Sequence, residues 1–113
     1  MKEGIVCKFG GTSVANAAQI NKVKNIVTMN TKRQYVIVSA PGRDSSDDQK
    51  VTDHLLNVAT NGRHFRLQNK NITGQQSYEA VLGKFQRLID ELAIDGGDIL
   101  KNLEKDMKTP LPD

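Results

Sequence analysis

Apolar residues fall in two different rhythms along this chain. At Gly4–Phe9 ("GIVCKF") and Gln34–Ser39 ("QYVIVS") they run almost unbroken and are rich in Val and Ile. That is the pattern of short parallel strands buried on both faces. Between them, "NAAQINKVKNIVTM" sets Ala17, Ile20, Val23 and Val27 on one helical face, opposite Asn21 and Lys24. Strand, helix and strand in succession predict a βαβ unit with parallel strands and a right-handed crossover.

The helical rhythm takes over after Ser39. A polar loop, "APGRDSSDDQK", opens with Pro-Gly turn chemistry. A helix is predicted from about Thr52 to Asn61, with Val51, Leu55, Val58 and Ala59 facing inward. "RHFRLQNKNITG" has no clean period and reads as irregular. Gln75–Ala93 carries the strongest helical stripe: Tyr78, Val81, Leu82, Phe85, Leu88, Ile89 and Leu92. It reads as ordinary helix core, with a face for a partner helix as the alternative. Asp95 is the expected cap of a last helix bearing Ile99, Leu100, Leu103 and Met107, which Thr109-Pro110-Leu111-Pro112 would end. Parallel strands apolar on both faces need neighbouring strands and a helix layer on each side. No third convincing strand is evident, so either residues 63–74 hide strands or the sheet is completed by residues outside this chain. We favour the second alternative: the front part of a larger α/β domain.

Composition narrows the function classes. The 113 residues are 37% hydrophobic and 26% charged, with only 4% aromatics and no Trp, so any core is mainly aliphatic. A net charge of +3, from dispersed lysines without interleaved aromatics, argues against nucleic acid and membrane partners. The single cysteine, Cys7, excludes an internal disulfide framework and fits a reducing compartment. Neither a signal peptide nor an apolar run of membrane-spanning length is evident, which makes the cytoplasm the expected location.

The candidate chemistry sits at the end of the first strand, in "VCKFGGTSVAN". A lysine inside an apolar run is costly unless something negative meets it. Lys8 is predicted near the carboxyl end of the strand, where open α/β sheets bind ligands. Gly10 and Gly11 would let backbone N–H groups approach an anion, and the next helix would aim its N-terminus there. Thr12 and Ser13 could add hydroxyl donors or cap that helix. All these residue types suit an anion, above all a polyphosphate. The motif is not Walker A, whose lysine comes after its glycines, and the G-x-G-x-x-G fingerprint is absent. Taken alone, the residues leave open a plain strand-to-helix turn with Lys8 reaching water.

"KFGGTSVAN" resembles the N-terminal signature of aspartokinases, in the amino acid kinase family. "VIVSAPGR…KVTDHLL" is similar to the pattern found after the second strand in that family. The resemblance implies a three-layer α/β/α sandwich with a mostly parallel sheet, like carbamate kinase. It also implies that residues 1–113 are an incomplete N-terminal part of the catalytic domain, with the ACT regulatory domains absent. The implied activity is transfer of the ATP γ-phosphoryl group to the aspartate side-chain carboxylate, giving 4-phospho-aspartate, in lysine, threonine and methionine biosynthesis. Lys8 would be catalytic and would bind the ATP phosphates together with Gly10, Gly11, Thr12 and Ser13. Ser39 and Thr52 would bind aspartate; a strand-end hydroxyl and a helix N-cap are their plain alternatives. The implied cofactor set is ATP with Mg²⁺, the metal carried mainly by phosphate oxygens, with no protein metal site. The full-length protein would be a homo-oligomer. No Gly-Glu pair occurs in the chain, although the family uses one to hold its substrate, so these residues alone should have little or no kinase activity. The alternatives are another acyl-phosphate-forming member of the family and a non-catalytic phosphate-binding module.

Other features carry less. Asp44, Asp47 and Asp48 lack the spacing of a calcium loop and read as a solvated loop over the site. His54 and His64 lack metal-ligand spacing and read as structural. Cys7 should face away from Lys8, as a small core residue. Lys101, Lys105 and Lys108 alternate with Glu104 and Asp106, as a solvated helix face does.

Overall fold

The computed structural model describes residues 3–45 and 48–108. Asp47 and the expected terminator Thr109–Pro112 lie outside the described residues. The chain divides into two compact units, Met1–Lys50 and Val51–Asp113.

The first unit is the expected strand–helix–strand. Strands β1 (Ile5–Phe9) and β2 (Arg33–Val38) pair in parallel, with Lys8 opposite Ile37 and Phe9 opposite Val38. The register shifts between Ile5 and Val6, where Ile5 N–H reaches Lys32 C=O at 2.7 Å. Helix α1 (Ala17–Thr28) connects the strands and packs against β2. Asn16 caps it, its Oδ1 accepting from Gln19 N–H at 3.0 Å. The strands depart from expectation in burial. Val6 is 63% exposed, Ile37 53% and Val38 55%. Their Val and Ile content suits a sheet covered on both faces, and a two-stranded sheet beside a single helix does not supply that cover. Cys7 is accordingly half-buried rather than a full core residue.

The second unit is helical: α2 (Val51–Ala59), α3 (Phe65–Gln68), α4 (Gly74–Leu92) and α5 (Gly97–Lys108). Helix α3 corrects the irregular reading of residues 63–74. A four-residue helix is too short to show a period, yet its Leu67 is fully buried. Thr73 and Gln76 form a capping box at the start of α4, each side chain accepting from the other's backbone N–H. Helices α2 and α4 both end in left-handed residues, Asn61 (φ 56°) and Ala93 (φ 54°). Gly62 N–H donates to Asn57 C=O and Asn61 N–H to Val58 C=O, the bond pair of a Schellman motif. Ile94 to Ile89 and Ala93 to Asp90 repeat it at the end of α4.

The buried line of α4 runs through Ser77, Val81, Lys84 and Leu88, joined by Ile89. The apolar stripe read from the sequence is therefore rotated, with Tyr78, Leu82, Phe85 and Leu92 half-buried on its flank. In α2, Val51 is buried and Ala59 exposed, whereas the inward position belongs to Asn57, with 0% exposure. Asn57 Nδ2 donates to Ile72 C=O (3.0 Å), Thr73 C=O (3.3 Å) and Ser77 Oγ (2.9 Å). Its Oδ1 accepts from His64 N–H at 3.1 Å. Only this amide orientation satisfies both the carbonyls and the N–H. His54 Nδ1 lies 2.9 Å from Ser77 Oγ, and His64 Nε2 lies 3.1 Å from Asp53 Oδ1, giving both histidines structural partners.

One smaller expectation is corrected. Asp95 does not cap α5 but accepts from Gly97 N–H two residues on, at 3.4 Å, as in an Asx turn. Lys101, Lys105 and Lys108 are exposed, as a solvated helix face requires, and Lys108 Nζ sits 5.7 Å from the centre of the Tyr78 ring. Among the described residues, no helix is long and apolar enough to cross a membrane.

Candidate functional site

The first unit brings most of the predicted site residues to one end of its sheet. Lys8 is exposed on β1, one residue before the strand ends at Phe9. The ladder then extends past β2, with Ser39 N–H donating to Phe9 C=O at 3.0 Å. The carboxyl ends of the parallel strands thus deliver Lys8, the glycines and Ser39 to the same edge, the ligand-binding edge of open α/β sheets. Ser39 is itself exposed there.

Beyond Phe9 the chain departs from the expected strand-to-helix step. Gly10 is extended (φ −72°, ψ 175°) and leads into a short 3₁₀ turn, Gly11–Val14. Helix α1 begins only at Ala17, under Asn16, so its N-terminus is not the one adjoining the glycines. Thr12 and Ser13 do not cap it. The backbone donors beside the glycines therefore belong to the turn, where Ser13 N–H closes on Gly10 C=O at 3.1 Å. A Cβ at Gly10 would meet no protein atom within 4 Å. Gly11 is different, because a Cβ there would stand 3.1 Å from Ala40 C=O.

That contact brings in a residue not singled out from the sequence. Gly42, in the loop after β2, donates its N–H to Gly11 C=O at 2.8 Å. Its only sequence signal was the Pro41-Gly42 pair, which reads as a turn and gives no hint of a tertiary partner. Thr52 stands apart from these residues in the chain. It is the second residue of α2, exposed, in the second unit, and the helix already starts at Val51, so it is not the N-cap. Further along the loop after β2, Asp48 Oδ2 accepts from Asp44 N–H at 3.1 Å, an internal loop bond. Among the described residues, no group of three or more His, Cys, Asp or Glu is placed to hold a metal ion.

The residue types at this edge are ones that suit an anion. They are one lysine, two glycines and three hydroxyl residues, Thr12, Ser13 and Ser39, all neutral or positive.

Comparison with known proteins gives the edge a context. No protein-family model matches the chain. It is 37% identical over 108 residues to Aspartokinase 3 of Bacillus subtilis (strain 168), covering 94% of this chain and 22% of that protein. The crystal structure of Clostridium acetobutylicum aspartate kinase, an allosteric enzyme, superposes with a TM-score of 0.73 at 28% identity. That match covers 95% of this chain and 24% of the other. Similarity to aspartokinases thus extends over nearly the whole chain, well past the motifs that first suggested it, and the mixed α/β fold with parallel strands is shared. The chain spans less than a quarter of the length of either relative.

Proposed function

We propose that these residues form the phosphate-binding part of an aspartokinase catalytic domain. In this reading the full-length protein transfers the ATP γ-phosphoryl group to the aspartate side-chain carboxylate in the cytoplasm. The product, 4-phospho-aspartate, would feed lysine, threonine and methionine synthesis. The supporting observation is the convergence of Lys8, the Gly10-Gly11 turn and Ser39 at one sheet edge, in a chain 37% identical to a named aspartokinase.

The chemistry explains why such residues suffice at this end of the site. The attacking carboxylate is already an anion, so no general base is needed to create it. The barrier comes from bringing two negative groups together and from charge spreading over the phosphoryl oxygens. Lys8 would neutralise that charge, while the N–H groups of Gly10, Gly11 and Thr12 and the hydroxyls of Thr12 and Ser13 would hold the phosphates in place. Mg²⁺ would arrive with ATP, held by phosphate oxygens and water. Ser39 would donate to an aspartate carboxylate. The bare faces of β1 and β2 fit a sheet that further strands and helices complete, and aspartate contacts would come from there too. The 113 residues alone should therefore turn over little or no substrate.

The test uses the full-length protein carrying these residues. ADP release and hydroxylamine trapping of the acyl phosphate are measured with aspartate, glutamate and acetylglutamate in turn. Aspartate-dependent turnover is the expected result, and Lys8→Met should lower kcat by about 10²- to 10³-fold, the usual cost of losing one charge-stabilising donor. Turnover with another carboxylate and none with aspartate would move the protein elsewhere among amino acid kinases. No turnover with any of them would refute the catalytic reading.

A further inference from the structure

The loop after β2 makes a backbone-to-backbone seat on the turn after β1. A Cβ at Gly42 would lie 2.7 Å from both the carbonyl carbon and oxygen of Gly11, and 3.0 Å from Thr12 N. Cβ atoms essentially never approach protein atoms closer than 3.0 Å, and backbone, unlike a side-chain tip, cannot swing aside. The fit is mutual, since a Cβ at Gly11 would lie 3.4 Å from Gly42 N and Cα. Only glycine at position 42 allows the hydrogen bond from Gly42 N–H to Gly11 C=O to form at 2.8 Å.

That bond has a geometric consequence one atom further on. The peptide joining Gly11 to Thr12 is trans and planar, so its C=O and N–H point in opposite directions. Fixing the Gly11 oxygen on Gly42 therefore aims the Thr12 N–H to the opposite side. Ala40 and Pro41 span the short distance back to Ser39, and Pro41 has a fixed φ and little freedom to absorb movement.

We propose that Gly42 is a positioning residue of the phosphate site. It sets the orientation of the Gly11–Thr12 peptide and locks the turn after β1 to the Ser39 end of β2, so the two loops move as one piece. The inference rests on the anion-site reading given above. Gly42 touches no reacting atom, and acts only through Gly11 and Thr12.

The experiment compares Gly42→Ala with wild type and with Gly83→Ala, in the full-length protein. Gly83 lies on an exposed face of α4, where a Cβ meets nothing within 4 Å. Gly42→Ala should raise the KM for ATP and lower kcat/KM by about 10- to 100-fold, the scale of a displacement near 1 Å in a catalytic site. Its kinetics are compared per folded molecule, because the displaced loop also lowers the melting temperature, and Gly83→Ala should keep wild-type kinetics. Unchanged kinetics in Gly42→Ala would overturn the proposal. So would activity that falls only with the folded fraction while KM stays constant. If Gly42→Ala does not fold, amide hydrogen exchange on the wild type decides. The Gly42 and Thr12 amides should slow together when Mg-ATP or inorganic tripolyphosphate is added, and a Gly42 amide that ignores both overturns the assignment. A wild-type protein that binds these anions but phosphorylates no aspartate refutes the proposed activity alone, because the exchange result still stands for Gly42.

Discussion

Replacing Asn57 by alanine removes the hub of the polar network that joins α2, α3 and α4, and the cost can be worked out group by group. His64 N–H loses its acceptor inside a residue that is only 8% exposed. An orphaned buried donor costs about 1–3 kcal/mol. Ser77 Oγ, fully buried, loses one donor but keeps His54, a loss of about 1 kcal/mol. The carbonyls of Ile72 and Thr73 belong to half-buried and exposed residues and can turn to water, so they add little. The total is about 3 kcal/mol. With a urea slope of about 2 kcal/mol/M, that lowers the unfolding midpoint by about 1.5 M. Urea titration followed by far-UV circular dichroism measures it, and an unchanged slope shows that the native state itself lost the energy. Asn57→Asp should be at least as harmful, because it sets a carboxylate oxygen against the carbonyls of Ile72 and Thr73. A double-mutant cycle with Ser77→Ala should return about 1 kcal/mol of coupling. A cost below about 1 kcal/mol for Asn57→Ala would mean instead that water already satisfies these groups and that Asn57 is no hub.

The helix ends and exposed surfaces give further expectations. Ala93 adopts φ 54° at the Schellman position of α4, where a Cβ is unfavourable, so Ala93→Gly should raise stability by about 0.5–1 kcal/mol in the same titration. Gly83 sits inside α4 with nothing around its missing Cβ, so Gly83→Ala should stabilise by about 0.8–1 kcal/mol. A destabilised Gly83→Ala protein would mean that this helix face is covered in solution.

The sequence revealed the elements whose patterns are long and regular. β1, β2, α1 and α4 all announce themselves by unbroken Val and Ile runs or by apolar residues at helical spacing. α3 did not, because a four-residue helix has no period to detect. The buried line of α4 was misread by a rotation because two of its positions, Ser77 and Lys84, are polar. Asn57 escaped for the same reason: a polar residue on an inward face is visible only once its partners, distant in sequence, are in place. At the candidate site, Lys8 and the glycines were legible as a local motif. The seat of Gly42 on Gly11 was not, because it depends on the parallel pairing of strands separated by α1.

The bare strands have a practical meaning. Among the described residues each strand has one neighbour, leaving its other edge with unpaired N–H and C=O groups flanked by exposed Val and Ile side chains. Such an edge is a template on which other chains can add as strands. Expressed by themselves, these 113 residues would tend to self-associate through β1 and β2 at the concentrations used for purification. Lysine substitutions at outward strand positions such as Val6 or Tyr35 would be the first route to keeping them in solution.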